Sequence, residues 1–267
     1  MDIKFIITAS AIVAAVGLII AIVLSIAEKA FHVEVDEREE QVREHLGGNN
    51  CGACGYAGCD ALAKAIVKGE ASVNACPPAG QSGADAIAKI MGVEAEQTVR
   101  KVAYVNCSGS CDKRHSDYNY FGTRSCNSVK STLGRGSMSC TYGCIGYGDC
   151  AEVCDQRAIR IIDGKSVVES ELCVACGKCI KVCVQNIIDF VPYDSKYAVR
   201  CSSSDRGKNV RINCDAGCIG CGLCAKNCPK DAIIMKNNVA KIDYEKCVGC
   251  GLCAKKCPAK VIVSLKK

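Results

Sequence analysis

The sequence predicts an α+β chain of small domains organised by iron–sulfur clusters rather than by one large apolar core, with an N-terminal transmembrane helix. Three observations carry this. Cysteine accounts for 25 of 267 residues, and most fall in tight C-x2-C-x2-C runs. Residues 5–27 contain no charge. A shift of 74 residues superimposes eight cysteines of one segment on eight of the next. So many cysteines would suggest a disulfide scaffold in a short secreted chain. Here the count is odd, and the successive short spacings converge several thiolates on one point, which suits a metal cluster and not separate staples. The implied compartment is reducing.

The run Phe5–Ala27, "FIITASAIVAAVGLIIAIVLSIA", is 23 residues long. At a rise of about 1.5 Å per residue it spans a hydrocarbon core of about 30 Å. A cleaved signal peptide fits less well, because "MDIK" is not clearly positive and the apolar run exceeds the usual length. Residues 1–28 are therefore expected to be a single-pass anchor. Flanking charges barely separate the two orientations. Cluster assembly needs the cytosol, so the N-terminus is expected outside and the cluster domains on the cytoplasmic side. Residues 29–46 read as a solvated charged connector, with His32 and His45 on its surface.

Residues 47–92 form a compact cysteine module. Its spacing is C-x2-C-x4-C-x16-C at Cys51, Cys54, Cys59 and Cys76. Asp60 is expected to cap a helix with Leu62 and Ile66 on its apolar face, stopping at Gly69. "GQSGADAIAKIMG" reads as a second helix. Four ligands in one loop–helix unit fit one [4Fe–4S] centre. Residues 93–139 read as a linker and insertion: a strand at Lys101–Val105, then an irregular loop rich in Ser, Gly, Asn and Arg.

The repeat supplies two ferredoxin-like two-cluster domains, 140–199 and 200–267. The second copy contains "CIGCGLCAKNCP" and "CVGCGLCAKKCP". In such runs three sulfurs hold one cluster and the x3 step carries the fourth to the other. Cys218, Cys221 and Cys224 are thus expected with Cys257, and Cys247, Cys250 and Cys253 with Cys228. Zinc is the rival metal, but its sites use two C-x2-C pairs and not a triple with a fourth at x3. In the first copy, Cys173, Cys176 and Cys179 with Cys154 form an intact set. Its partner has only Cys144, Cys150 and Cys183, because Tyr147 stands where the second copy has Cys221. Cys140, four residues before Cys144, is expected to fill the vacated corner; a three-iron cluster is the alternative. Five cysteines remain: Cys107, Cys111, Cys126, Cys201 and Cys214. They are either free thiols and a repeat remnant, or a sixth centre from Cys107, Cys111 and Cys126 with Cys201 or Cys214.

The formal charge is +6 with cysteines neutral. A [4Fe–4S] core with four thiolates carries about −2, so five centres bring the chain to about −4. The C-terminal lysines then read as counter-charge. With no Trp and few aromatics to stack on bases, nothing points to nucleic acid. No G-x-G-x-x-G after a strand, P-loop or nucleophile elbow occurs. No flavin or NAD site is expected in this chain, which would conduct electrons and leave hydride chemistry to a partner.

One apolar N-terminal run, "GGNNCGACGYAGCDALAKAIVKGEASVNACPP" and "SCTYGCIGYGDC" followed by ferredoxin-like runs together resemble the B subunit of the Rnf complex, in the long form of anaerobes. That family is an ion-translocating ferredoxin:NAD oxidoreductase of bacterial membranes. The resemblance covers essentially the whole chain. It implies a role in taking electrons from soluble ferredoxin and relaying them to other Rnf subunits, which hold the flavins, the NAD site and the ion path. A membrane-tethered polyferredoxin and an electron-transfer component of a hydrogenase or formate dehydrogenase are the alternatives. The lysines Lys226, Lys230, Lys255, Lys256 and Lys260 are the expected ferredoxin docking face.

Overall fold

The computed structural model describes residues 14–26, 36–132 and 136–265. Residues 14–26 form a helix, α1, whose side chains are all exposed, Leu18 at 64 % and Leu24 at 63 % among them. Among the described residues no helix is long and apolar enough to cross a membrane. The rest of the expected span, and His32, lie outside the described residues.

The N-terminal module is a three-helix unit. Helix α2 (Glu37–His45) is capped by Asp36, whose carboxylate accepts from the Arg38 N–H. It is acidic in its first turn and basic in its last, which suits the helix dipole. Its sequence is polar on nearly every face, so it reads as a solvated connector. Yet Val42 is 0 % exposed and packs with Leu46 against Leu62, Ile66 and Ile87. One valine at the right register makes the second half of the expected connector part of the module, while His45 is exposed as expected.

Helix α3 (Cys59–Val67) starts one residue before the expected cap. Asn50 Oδ1 accepts from the Cys59 N–H at 2.8 Å, and Gly58 occupies the cap position. Asp60 lies in the first turn and pairs with Arg43 Nε at 2.8 Å. The cap is therefore supplied from a distant loop rather than by the nearest acidic residue. The helix ends at Gly69, where the Gly69 and Glu70 N–H groups reach back to Ile66 and Ala65. Helix α4 (Gly80–Met91) ends at Gly92 in the left-handed conformation.

The remaining chain folds as two copies of one plan. The first copy contains β1 (Lys101–Val105), α5 (Cys126–Lys130), α6 (Asp149–Glu152), β2 (Ile159–Ile162), β3 (Lys165–Val168), α7 (Lys178–Val182) and β4 (Ile188–Pro192). The second contains β5 (Tyr197–Val199), α8 (Gly207–Asn213), α9 (Leu223–Lys226), β6 (Ile233–Lys236), β7 (Val239–Ile242), α10 (Leu252–Lys256) and β8 (Ile262–Ser264). In each, the first strand pairs antiparallel with the last, β1 with β4 and β5 with β8, while β2–β3 and β6–β7 form hairpins. Val105 opposes Ile188 and Val199 opposes Ile262, so the opening strands are equivalent too. This pairing ties Lys101–Val105 to the first ferredoxin-like unit and Tyr197–Val199 to the second. The expected boundary at 199/200 falls directly behind that strand.

Each unit has its own small core, and cysteines make up much of it. Val105, Cys144, Cys150, Ile159, Cys179 and Ile188 pack together in the first; their counterparts Val199, Cys218, Cys224, Ile233, Cys253 and Ile262 pack in the second. Gly146 and Gly220 occupy one repeat position. A Cβ on Gly220 would lie 2.9 Å from the Asn238 carbonyl oxygen, and one on Gly146 would collide with that of Gly164, so only glycine lets the hairpin close over the cysteine loop.

Leu62→Ala should destabilise the N-terminal module by about 2–5 kcal/mol, because a fully buried side chain leaves a cavity among three helices. Denaturant unfolding of the cluster-loaded protein should show bleaching of one centre at lower denaturant, with the others unmoved.

Candidate metal centres

The cysteines stand around cavities rather than single points. Among the described residues, no three His, Cys, Asp or Glu side chains close on one position as a mononuclear ion with metal–sulfur bonds of about 2.3 Å requires. Four cavities instead each carry four cysteines.

One cavity is lined by Cys154, Cys173, Cys176 and Cys179, the set expected from the first copy. Another is lined by Cys228, Cys247, Cys250 and Cys253, again as expected. Cys224 lies within electrostatic reach of Cys218, Cys221 and Cys257, which brings the third expected set together. In the N-terminal module Cys76 feels Cys59 and Cys54, and all three join one core cluster. Backbone N–H groups point at the sulfurs. The Ala158 N–H donates to Cys154 Sγ and the Ala232 N–H to Cys228 Sγ, both at 3.3 Å and at equivalent repeat positions; the Ala103 N–H donates to Cys173 Sγ at 3.3 Å. Such bonds favour a sulfur carrying negative charge.

The set Cys140, Cys144, Cys150 and Cys183 is not brought together. Cys144, Cys150 and Cys183 share a cavity with Cys126, not with Cys140. Cys126 opens α5 and is fixed there by Asp149, whose carboxylate accepts from the Cys126 N–H at 2.8 Å, the Asn127 N–H at 3.1 Å and Ser125 Oγ at 3.1 Å. Burial pushes the Asp149 carboxyl up, but these bonds outweigh it and hold it below the ordinary carboxylate value. The equivalent residue of the second copy is Leu223. The fourth cysteine of this cavity, where Tyr147 leaves a corner open, thus comes from the insertion, 18 residues upstream of Cys144. Tyr147 itself packs on Tyr120 of that insertion, ring centroids 6.1 Å apart. Ser166 Oγ lies 3.1 Å from Cys150 Sγ and 3.5 Å from Cys144 Sγ, where the second copy has Ala240.

Cys140 faces a different cavity, shared with Cys107, Cys201 and Cys214. Proximity in sequence suggested the wrong neighbour. The repeat held the correcting signal: Cys214 mirrors Cys140, and the intact triple that follows Cys214 needs no help from it. Cys111 is exposed and lines none of the four cavities.

The electrostatics fit a cationic inorganic core. Burial, with neighbouring cysteines adding to it, pushes the Cys179 thiol up to about 12; burial likewise takes Cys150, Cys201 and Cys224 to about 11. Thiols crowded in this way stay protonated near neutral pH unless a metal compensates their charge. The sites also adjoin one another. Cys176 feels Cys51, Cys179 feels Cys150, the Cys144 N–H donates to Cys107 Sγ at 3.4 Å, and the Cys218 N–H donates to Cys201 Sγ at 3.2 Å.

A family model described as a putative Fe-S cluster matches residues 46–78, and one described as a 4Fe-4S dicluster domain matches residues 172–232 and 217–261. The chain is 46 % identical over 231 residues to the B subunit of the Na(+)-translocating ferredoxin:NAD(+) oxidoreductase complex of Acetobacterium woodii, covering 86 % of this chain and 69 % of that protein. It is 38 % identical over 237 residues to the B subunit of the ion-translocating oxidoreductase complex of Methanosarcina acetivorans, covering 88 % and 89 %. To the B subunit of the proton-translocating ferredoxin:NAD(+) oxidoreductase complex of Clostridium ljungdahlii it is 36 % identical over 230 residues, covering 85 % and 81 %.

Cys126→Ser should remove the signal of one centre held by the first ferredoxin-like unit, and about four irons, while Cys111→Ser removes none. Cys140→Ser should leave that first signal intact. Iron and sulfide counting with electron paramagnetic resonance (EPR) on anaerobically purified protein checks all three. The raised thiols also set opposite pH slopes. In the cluster-free chain they favour the folded state below the ordinary thiol value of 9.0, and that contribution is lost as the pH climbs through about 11 and 12. Cluster binding releases protons, so retention should worsen as the pH falls. Urea unfolding of the cluster-free chain and visible absorbance of the loaded chain, each across pH, test the pair of signs.

Proposed function

The chain belongs to the B-subunit family of ion-translocating ferredoxin:NAD(+) oxidoreductase (Rnf) complexes, and from that premise we propose that it accepts electrons from reduced ferredoxin and relays them through [4Fe–4S] centres to other subunits of its complex. The observation that carries this reading is the closeness of the cysteine sets within each half of the chain: the Cys51 set adjoins the Cys154 set through Cys176, that set adjoins the Cys126 set through Cys179 and Cys150, and the Cys218 and Cys228 sets share one core. Five sets form the proposed relay: Cys51, Cys54, Cys59 and Cys76; Cys154, Cys173, Cys176 and Cys179; Cys126, Cys144, Cys150 and Cys183; Cys218, Cys221, Cys224 and Cys257; Cys228, Cys247, Cys250 and Cys253. When bound, the clusters supply one-electron chemistry at potentials set by charge, hydrogen bonding and exposure. The chain's own residues hold them, shield most of the sulfurs from water and bias their charge, as Ser166 does beside Cys150.

Electrons enter, in this reading, at the C-terminal unit. Cys221 and Cys250 are exposed there, beside Leu223, Val248 and Leu252, which are 41 %, 57 % and 41 % exposed. Lys226, Lys230, Lys255, Lys256 and Lys260 are exposed around them. Exposed apolar side chains and exposed lysines on the same unit suit transient docking of an acidic electron carrier. Residues 5–27 are proposed as the anchor that keeps the relay at the bilayer, N-terminus outside and clusters on the cytoplasmic side. The uncharged length of that run and the redox needs of the cysteines support this.

Reversing charge with Lys255→Glu and Lys256→Glu should slow reduction by ferredoxin on the order of tenfold at low salt and flatten its salt dependence. Stopped-flow absorbance at several ionic strengths measures both. An unchanged rate with an unchanged salt slope sinks the docking face.

A further inference from the structure

The cavity of Cys126, Cys144, Cys150 and Cys183 differs from its counterpart in the second unit by more than the origin of one sulfur. Ser166, in β3, also lines it. This residue is 5 % exposed, and its Oγ lies 3.1 Å from Cys150 Sγ and 3.5 Å from Cys144 Sγ. Among the described residues those two sulfurs are the only partners of the hydroxyl. A metal-bound thiolate has no hydrogen to give, so with a cluster in place the hydroxyl is the donor. The second unit has Ala240 at this position, buried in one core with Cys218 and Cys224. The backbone frame is the same in both: Ser166 opposes Ile161, and Ala240 opposes Met235, the repeat equivalent of Ile161. Cys144, Cys150, Cys218 and Cys224 are all 7 % exposed, so burial does not distinguish the two sulfur pairs. The hydroxyl does.

Two other differences act in the opposite sense. The Asp149 carboxylate stands at the wall of this cavity, where the second unit has Leu223. Cys126 is half-buried, whereas Cys221, at the matching corner, is exposed. One-electron reduction takes a [4Fe–4S] centre from about −2 to about −3. A neighbouring anion and the loss of solvent both oppose that added charge, while a hydrogen bond to a ligand sulfur favours it. Building the fourth corner from the insertion therefore makes this centre harder to reduce, unless another group compensates.

We propose that Ser166 is that group: its hydroxyl, donating mainly to Cys150 Sγ, raises the midpoint potential of the centre held by the Cys126 set and keeps it within reach of electrons arriving from the second unit. This rests on the electron-transfer reading above and deepens it. Ser166 acts through the ligand sulfurs and touches no substrate. Reduction adds one electron to the centre, taken from a reduced neighbour that is oxidised by one. The hydroxyl keeps its proton, and no covalent bond forms or breaks.

The test is an EPR-monitored redox titration of the anaerobically purified, cluster-loaded full chain, with titanium(III) citrate as reductant. Cys126→Ser identifies the signal of this centre, and Cys221→Ser that of its counterpart. Ser166→Ala should lower the midpoint of the first signal alone. Ala240→Ser, which adds a hydroxyl at the matching position, should raise the midpoint of the second alone. An unchanged first midpoint in Ser166→Ala with every centre retained, or an equal shift of both signals, overturns the role of Ser166 while leaving the relay standing. Should Ser166→Ala instead lose about four irons, Ala240→Ser decides: a raised second midpoint sustains the proposal and an unchanged one overturns it. A wild type without iron or sulfide overturns the relay itself.

Discussion

The gathering of cysteines in fours around shared cavities governs this molecule. A ferredoxin-like unit of this length has few large apolar side chains to bury, and the structure shows cysteines occupying core positions beside isoleucine and valine. Crowded thiols with raised pKa values are poor core material alone, since each resists ionisation and offers a weak donor. Bound to a metal core the same thiols would crosslink the unit. Hairpins, short helices and left-handed glycine turns then serve mainly to aim sulfurs and backbone N–H groups at four corners.

That constraint explains how the first copy tolerates Tyr147. A corner must be filled, but the sulfur can come from any chain segment that reaches it. The insertion supplies Cys126, and a carboxylate at Asp149, where the second copy has Leu223, pins the turn that presents it. Tyr147 is released to pack on Tyr120 of the same insertion. Substitution, insertion and carboxylate form one unit, which is why each looks unexplained when considered singly.

The repeat does more than double the number of centres. Two copies of one plan, set face to face, bring equivalent cysteines of both into one cavity, as symmetric protomers do at an isologous interface. Backbone contacts stitch the units around this cavity: an isolated bridge between Arg114 and Cys214, and the Ser108 N–H donating to the Arg200 carbonyl. The C-terminal lysines lie on the exposed rim instead, where screening makes them suited to encounter and not to holding charge.

The spacing of cysteines within a run determined much from sequence alone. C-x2-C-x2-C with a cysteine three residues on can reach only a few geometries, and the repeat offset carried the grouping of the Cys228 set over to the Cys154 set. The helices of the N-terminal module and the strand at Lys101–Val105 were legible from local pattern, and the start of α3 was legible to within one residue. What tertiary structure decided were the contacts of long separation: Asn50 capping α3, Val42 drawing a polar helix into the module, Cys126 completing the broken set, and Cys140 turning to Cys107, Cys201 and Cys214. Local chemistry fixes which groups a segment can offer, whereas the partner of a single offered group depends on where distant chain comes to lie, and that is set only when the strands pair and the two units meet.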